Sequence, residues 1–257
     1  MTIVAFVGLG AMGMPMAKNL LNHHMAVRGA DLNRDALAEL EQAGGYAASS
    51  VSDACMGADI LVLMVVNAAQ ARQVLEQKDA LHQLKRDAVV VLMATCPTQE
   101  VEQLSAWVYS QGRRFVDAPV SGGVAGAKSA SLTIMAAGEK VAFDHVKPVF
   151  DVLGKRVFYV GEKPGQGAMV KTVNQLLCGV HIAVMAEAFA LADKVGVDLA
   201  LLLEIMQGSS AASWMLNDRG SRMLQENPEV TSAVDIFVKD LGIVLKTGTD
   251  VRAALPI

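Results

Sequence analysis

The sequence has few cysteines and few aromatic residues, and it contains no hydrophobic run long enough to predict a membrane span. Three cysteines occur among its 257 residues, and aromatic residues make up 5% of the chain. The cysteines are scattered, odd in number and without metal-ligand spacing, which predicts reduced thiols in a cytoplasmic protein and no metal site. No uninterrupted apolar stretch reaches the roughly 18 residues of a membrane-spanning helix. No basic segment precedes the first apolar run, which argues against a signal peptide.

Charged residues are also sparse, and neither sign forms a block. They make up 19% of the chain, with 22 Lys and Arg against 26 Asp and Glu and a net charge of -4. This balance predicts neither nucleic acid nor an anionic membrane as a partner. With 53% hydrophobic residues, the chain can bury the core of one large domain or two modest ones.

A glycine-rich turn directly follows the first apolar run, Ile3–Val7. The turn consists of Gly8, Leu9, Gly10, Ala11, Met12 and Gly13, and a helical stretch follows it. In this order of strand, turn and helix, the first glycine permits the tight turn and the second lets the backbone approach a pyrophosphate. The third lets the helix pack on the strand. The sequence therefore predicts a dinucleotide site formed by these six residues.

An acidic residue after the second predicted strand bears on the choice of dinucleotide. Asp31 follows Gly13 by 18 residues. A carboxylate at about this spacing accepts hydrogen bonds from the ribose 2′-OH of NAD and repels the 2′-phosphate of NADP. Arg34 could instead pair with a phosphate, but it falls in the first turn of a helix that Asn33 can cap. The interpretation is that NAD is the cofactor.

Short apolar runs alternate with helical patterns over roughly the first 160 residues, which predicts a mostly parallel sheet. The expected strands are Ile3–Val7, Ala26–Ala30, Ile60–Val66, Val89–Met93, Phe115–Asp117, Leu132–Ala136 and Val157–Val160. The expected helices are Met14–Asn22, Arg34–Gln42, Ala69–Glu76, Gln99–Gln111 and Lys140–Leu153. The predicted class is therefore α/β, with a Rossmann-type doubly wound sheet in an N-terminal domain, 1–163.

The pattern changes near residue 163, and only helical periodicity follows. Gln166–Val195 predicts one helix of roughly 25–30 residues, long for a globular protein. Further helices are expected at Leu199–Gln207, Ala212–Gln225 and Val234–Thr247. The second domain, 164–257, is thus expected to be all-α and to be entered by a long interdomain helix. The chain stops at Leu255-Pro256-Ile257, which suggests that another segment follows.

Three later stretches place polar groups where a small acid could be handled. Asp117-Ala-Pro-Val-Ser121-Gly122-Gly123 ends in a turn whose hydroxyl and successive N–H groups suit a carboxylate. Lys171, Asn174 and Gln175 lie three and four residues apart and share one face of the long helix. Phe-Val-Lys239-Asp240-Leu puts a second lysine in an apolar helix. With the glycine turn, these ordered motifs resemble the β-hydroxyacid dehydrogenase family, to which 3-hydroxyisobutyrate dehydrogenase belongs.

The resemblance covers essentially the whole chain and implies hydride transfer between NAD and the hydroxyl carbon of a small hydroxyacid. It implies that Lys171 is the catalytic residue, either as a general acid and base or as a charged group that stabilises an alkoxide. It places Ser121, Gly122, Gly123, Asn174 and Gln175 on the substrate. It places Thr95 and Lys239 beside the nicotinamide and its ribose, and Met64 and Val65 end a strand on the adenosine side.

Four stretches outside the shared motifs resemble a subfamily that oxidises L-threonate to its 2-keto acid. They are Gly29–Asn33, Leu63–Gln70, Gln175–Leu177 with Gly179–Ile182, and Ser232–Leu241. The alternatives are a family member that oxidises 3-hydroxyisobutyrate or turns over tartronate semialdehyde, an NADP-dependent aldehyde reductase, and a cofactor-binding interaction protein. Relatives assemble through their helical domains, which implies a homo-oligomer, a dimer or a tetramer. His181 is interpreted as a packed or supporting residue rather than a catalytic one, and Cys96 as incidental.

Overall fold

The computed structural model describes residues 1–77, 79–228 and 234–255. Ser232 and Ala233 of the last subfamily stretch lie outside the described residues, as do Pro256 and Ile257 of the expected continuation. Contacts divide the chain into two compact units, Met1–Lys171 and Thr172–Ile257. The sequence places the domain boundary at 163, eight residues earlier, and that boundary stays a prediction.

The first unit is built on one nine-stranded sheet flanked by helices. Its strands are β1 (Ile3–Val7), β2 (Ala26–Ala30), β3 (Tyr46–Ala47), β4 (Ile60–Leu63), β5 (Val89–Leu92), β6 (Arg114–Asp117), β7 (Val120–Ser121), β8 (Leu132–Gly138) and β9 (Gly154–Gly161). Its helices are α1 (Gly13–Asn22), α2 (Arg34–Gln42), α3 (Val51–Cys55), α4 (Ala68–Leu75), α5 (Thr98–Ser110), α6 (Gly123–Lys128) and α7 (Lys140–Leu153).

The strand order is β3-β2-β1-β4-β5-β6-β8-β7, with β9 paired to β8. Strands β1 to β6 pair in parallel, whereas β8 runs antiparallel to β6 and β7. The chain reverses its direction of winding between β1 and β4. In open α/β sheets, ligands bind beyond the carboxyl ends of the strands at such a reversal. The predicted doubly wound sheet is confirmed.

Every residue of β4 and β5 is buried, because helices cover both faces of the sheet. Continuous Val, Ile and Leu runs are what such a position requires. Helix α2 begins after Asn33, whose side chain accepts a hydrogen bond from the Asp35 N–H, as expected. Gly44, just past the end of α2, takes a positive φ of 89°, which glycine adopts without strain.

Several details of the sequence-based assignment are wrong. The strand expected at Ile60–Val66 ends at Leu63, because the Val66 N–H turns to the Gln70 side chain and Asn67 caps α4. The short elements β3, α3, β7 and α6 were not predicted, since two to six residues carry too little periodicity. The helix expected at Ala212–Gln225 begins at Trp214, because Ser213 caps it.

The described part of the second unit is helical. Its elements are α8 (Gln166–Lys194), which begins in the first unit, α9 (Leu199–Gln207), α10 (Trp214–Met223) and α11 (Val234–Asp250). Met185, Phe189, Leu203 and Leu216 form its core cluster. By length and composition alone α8 could cross a membrane, with 22% of its most apolar window buried. A single helix of this kind is weak evidence for a membrane span, because core helices pass the same test.

Candidate active site

The glycine turn between β1 and α1 is tight at both ends and open in the middle. Gly8 has a φ of +96°, and its N–H donates to the Ala30 carbonyl at 3.1 Å. A Cβ on Gly8 would lie 2.4 Å from the Met64 carbonyl oxygen, and one on Gly13 would lie 1.9 Å from that of Gly8. A Cβ on Gly10 would meet no atom within 4 Å. The open space at Gly10 fits a pyrophosphate that approaches the backbone.

Asp31 braces this turn from the end of β2. Its Oδ2 accepts from the Leu9 N–H at 2.6 Å, and its Oδ1 accepts from the Asn33 N–H at 2.8 Å. A carboxylate has about four acceptor positions, so two hydrogen bonds leave capacity for ribose hydroxyls. Arg34 is exposed and lies in the first turn of α2, as expected from the Asn33 cap. The carboxylate side chain thus lies at the turn, where NAD requires it.

Further predicted cofactor residues follow neighbouring strands on the same edge of the sheet. Met64 and Val65 come directly after β4 and are half-buried, and the Met64 backbone packs against Gly8. Thr95 comes three residues after the end of β5 and is also half-buried. Adjacent strands are spaced by roughly 4.8 Å, so the edge from β1 to β6 spans roughly 14 Å. An extended dinucleotide fits along such an edge.

The Ser121–Gly123 turn has a backbone that only glycine accommodates readily. Gly122 has a φ of 128° and Gly123 a φ of 59°. Ser121 belongs to β7 and pairs with Thr133 of β8, which fixes the start of the turn in the sheet. All three residues are at least partly exposed, so the hydroxyl and the turn are accessible.

The sequence motif that begins with Asp117 gives this residue no role of its own, yet it is 99% buried at the end of β6. Its Oδ2 accepts from the Gly165 N–H at 2.6 Å and from the Ala168 N–H at 3.2 Å. Burial raises the pKa of the Asp117 carboxyl to about 7, and the N–H groups of Ala168, Gly165 and Gly167 lower it by less. The available signal was a carboxylate at the end of a buried strand, directly before the Ala-Pro-Val-Ser-Gly-Gly turn.

Lys171 lies one helical turn beyond this contact and is 6% exposed. It is the last residue of the first unit, and α8 continues without a break into the second.

Within the second unit, a buried chain of polar contacts joins α8 to α11. Asn174 Nδ2 donates to Gln175 Oε1 at 2.9 Å, and Gln175 Nε2 donates to Asp240 Oδ2 at 2.5 Å. The Lys239 ammonium lies 2.8 Å from Asp240 Oδ1. Gln175 and Asp240 are 6% and 3% exposed. Asp240 therefore holds both the predicted substrate amide and the predicted cofactor lysine.

Other candidate residues lie outside this arrangement. His181 is exposed on α8, which excludes the packed alternative, and the expectation that it is not catalytic stays a prediction. Cys96 is buried and reduced, as is Cys55, whose thiol pKa burial raises to about 12. Among the described residues no group of three or more His, Cys, Asp or Glu side chains is arranged to hold a metal ion.

Two protein families match the chain in succession. Residues 3–161 match the NAD binding domain of 6-phosphogluconate dehydrogenase, and residues 165–257 match the NAD-binding domain of NADP-dependent 3-hydroxyisobutyrate dehydrogenase. The first match covers more than half of the chain and shows an NAD-binding dehydrogenase domain. Together with the second match and with relatives named as hydroxyacid dehydrogenases, it identifies the class: this is an NAD-dependent hydroxyacid dehydrogenase. The cofactor prediction is confirmed.

Similar proteins narrow this assignment. The chain is 40% identical to an L-threonate dehydrogenase of Haemophilus influenzae over 98% of this chain and 84% of that protein. It is 37% identical to one of Escherichia coli K12 over 99% and 85%. The crystal structure of a 3-hydroxyisobutyrate dehydrogenase from Salmonella typhimurium superposes with a TM-score of 0.93 at 39% identity, covering 100% and 90% of the two chains. The chain belongs to the 3-hydroxyisobutyrate dehydrogenase-like family, and the predicted resemblance to L-threonate dehydrogenases is confirmed.

Proposed function

We propose that this enzyme oxidises L-threonate at its 2-hydroxyl to the 2-keto acid, 2-dehydro-L-erythronate, with NAD as the acceptor. The substrate rests on relatives named L-threonate dehydrogenase that are 37–40% identical over nearly the whole chain. The chemistry rests on one buried amine, Lys171, near the start of α8. It is the group of this chain that we assign to the proton transfer.

Lys171 acts as a general base in oxidation. Its neutral Nζ accepts the proton of the substrate hydroxyl as the carbon–oxygen bond becomes a carbonyl, and it returns that proton in the reverse direction. Bound NAD supplies the hydride acceptor.

Ser121, Gly122 and Gly123 bind the substrate carboxylate through the hydroxyl and the N–H groups of the turn. The positive φ values of both glycines preset this turn, so it needs no rearrangement to receive an anion. Asn174 and Gln175 orient the substrate from the next turns of α8, and Asp240 fixes the Gln175 amide.

The cofactor is held along the carboxyl edge of the sheet. The glycine turn, comprising Gly8, Leu9, Gly10, Ala11, Met12 and Gly13, receives the pyrophosphate. Asp31 binds the adenosine ribose, while Met64 and Val65 line the adenosine side. By the family resemblance, Thr95 is assigned to the nicotinamide ribose and Lys239 to the nicotinamide. The open space at Gly10 and the braced carboxylate of Asp31 support this assignment.

The test is turnover of L-threonate with NAD, followed by the absorbance of NADH. Lys171→Met removes the amine and is expected to abolish turnover while NAD affinity stays nearly unchanged. Lys246→Met is the matched control, because Lys246 is 65% exposed on α11 and pairs with Asp250. A Lys171→Met enzyme that turns over L-threonate at the normal rate would refute the role of Lys171.

A second substrate is supported by the crystal structure that superposes with a TM-score of 0.93, whose protein is named a 3-hydroxyisobutyrate dehydrogenase. The same assay with 3-hydroxyisobutyrate and tartronate semialdehyde ranks the substrates by kcat/KM. Efficient turnover of either compound, with no turnover of L-threonate, would make that compound the substrate and would leave the family unchanged.

We further propose a cytoplasmic homo-oligomer, a dimer or a tetramer, and a domain boundary at 163. Exposed apolar side chains on α8 support assembly, since isolated chains leave few such side chains grouped on one helix. They include Val173, Leu177, Val184 and Leu191, each at least 51% exposed. Light scattering after size exclusion measures the mass, and a monomer would contradict the proposal.

A further inference from the structure

A buried carboxylate anchors the first turn of α8 to the sheet. Asp117 ends β6, and its backbone is paired on both sides, with Leu92 of β5 and Ala137 of β8. Its carboxylate accepts hydrogen bonds from the Gly165 and Ala168 N–H groups, 48 and 51 residues away in sequence. The start of α8 is thereby tied to a rigid point of the sheet.

A second feature shows how closely α8 approaches the sheet at this point. A Cβ on Gly167 would lie 2.3 Å from Asp117 Oδ1 and 2.4 Å from the Met135 carbonyl oxygen of β8. No side chain fits between the helix and the sheet here. The hydrogen bonds and the close approach together fix both the rotation and the height of the first turn of α8.

This anchor connects the two parts of the proposed site that lie in the first unit. Lys171 follows Ala168 by three residues on a continuous helix, so any shift of the first turn moves it directly. Ser121 follows Asp117 by four residues and is itself fixed in β7. A single carboxylate therefore stands between the segment that bears the amine and the segment that bears the carboxylate-binding turn.

We infer that Asp117 is a positioning residue for the reaction, because it holds the first turn of α8 on the end of β6 and so sets the place of Lys171 relative to the Ser121–Gly123 turn. This inference rests on the proposed catalytic role of Lys171. The carboxylate is costly to keep at this position, since its burial is only partly offset by the N–H groups around it. Ionisable groups perturbed by burial in this way cluster at functional sites.

The experiment compares Asp117→Ala, which removes the acceptor, with Asp117→Asn, which keeps one acceptor oxygen. A misplacement of roughly 1 Å costs about 100-fold in rate, so Asp117→Ala is expected to lower kcat by up to about that factor. Asp117→Asn is expected to restore part of the loss. The Kd of NAD is expected to stay near the wild-type value, because the glycine turn lies three strands away on β1. Hydrogen exchange of the 165–170 amides is expected to accelerate in Asp117→Ala.

Two controls separate positioning from general destabilisation. Asp151→Asn removes an exposed carboxylate of α7 that pairs with Lys147. Leu153→Ala opens a cavity in the core beneath α7 and lowers stability without removing a hydrogen bond of Asp117. The inference is overturned if Asp117→Ala keeps the wild-type kcat, or if Leu153→Ala at an equal loss of Tm reproduces its kinetics. A fully active Lys171→Met would instead remove the proposed function on which the inference rests.

Discussion

Two glycines of the nucleotide turn are expected to serve different purposes, one in binding the cofactor and the other in folding. Gly10 and Gly13 lie three residues apart, yet an added methyl group meets empty space at the first and the Gly8 carbonyl oxygen, 1.9 Å away, at the second. Substituting each with alanine is therefore expected to give opposite results. Gly10→Ala should preserve the fold and weaken NAD binding, and Gly13→Ala should disturb the fold itself.

The magnitudes follow from the contacts. Gly10 does not take a positive φ, so alanine restricts the unfolded chain at little cost to the native state, and stability rises by roughly 0.4–1 kcal/mol or stays unchanged. Loss of one charge-assisted hydrogen bond to a phosphate costs about 1.5–3 kcal/mol, which weakens NAD roughly 10- to 150-fold. At Gly13 the chain must move by about 1 Å to relieve the clash, at a cost of about 1–3 kcal/mol or more.

The assays are the Kd of NAD by calorimetry and the Tm by differential scanning. About 1 kcal/mol corresponds to roughly 2–4 °C in a chain of this size. Gly208→Ala is the control, since Gly208 ends α9 with ordinary backbone angles and no close neighbour. Wild-type NAD affinity in Gly10→Ala would refute the assignment of the open space to the pyrophosphate. Wild-type Tm in Gly13→Ala would refute the packing argument.

Three further predictions concern charge and packing. Burial raises the pKa of Asp117 from 3.8 to about 7 in the folded state. Between pH 4 and pH 7 the folded state therefore keeps a proton on this carboxyl that the unfolded state has already lost. The free energy of unfolding should thus fall by about 4 kcal/mol more across this range in the wild type than in Asp117→Asn, by urea titration. Asp31→Asn keeps an acceptor but loses the charge, so the preference for NAD over NADP should fall about 10-fold or more in kcat/KM. Gly179→Ala would place a Cβ 2.6 Å from Leu241 and should destabilise the second unit by about 1–3 kcal/mol, whereas Gly242→Ala, with open space, should stabilise α11 by up to about 1 kcal/mol.

Each of these three has a clear contrary outcome. Parallel pH profiles of unfolding for the wild type and Asp117→Asn would mean that the buried carboxyl titrates normally. An unchanged preference for NAD over NADP in Asp31→Asn would contradict the assignment of Asp31 to the adenosine ribose. Equal stabilities of Gly179→Ala and Gly242→Ala would contradict the close approach of α8 and α11.

Much of the nucleotide-binding half was predictable from the chain alone. The spacing of Gly8, Gly10 and Gly13 after an apolar strand, the position of Asp31 and the alternation of strands with helices are local patterns. A strand buried on both faces and a turn that must admit a phosphate each restrict the residues that can stand there, so the restriction is visible within a few positions. Short elements such as β3 and α6 were not predicted, because so few residues show no hydrophobic periodicity.

Tertiary structure alone decided which polar groups meet. Asp117 reaches the start of α8 across 48 residues, and Gln175 reaches Asp240 across 65. The close approaches of Gly8 to Met64 and of Gly167 to Met135 are likewise invisible along the chain. Hydrogen bonds and packing between distant segments leave no periodicity, since each partner is an ordinary residue in its own element. The sequence by itself determined a nucleotide-binding α/β fold and its candidate chemistry, and the folded chain decided which buried carboxylates hold that chemistry in place.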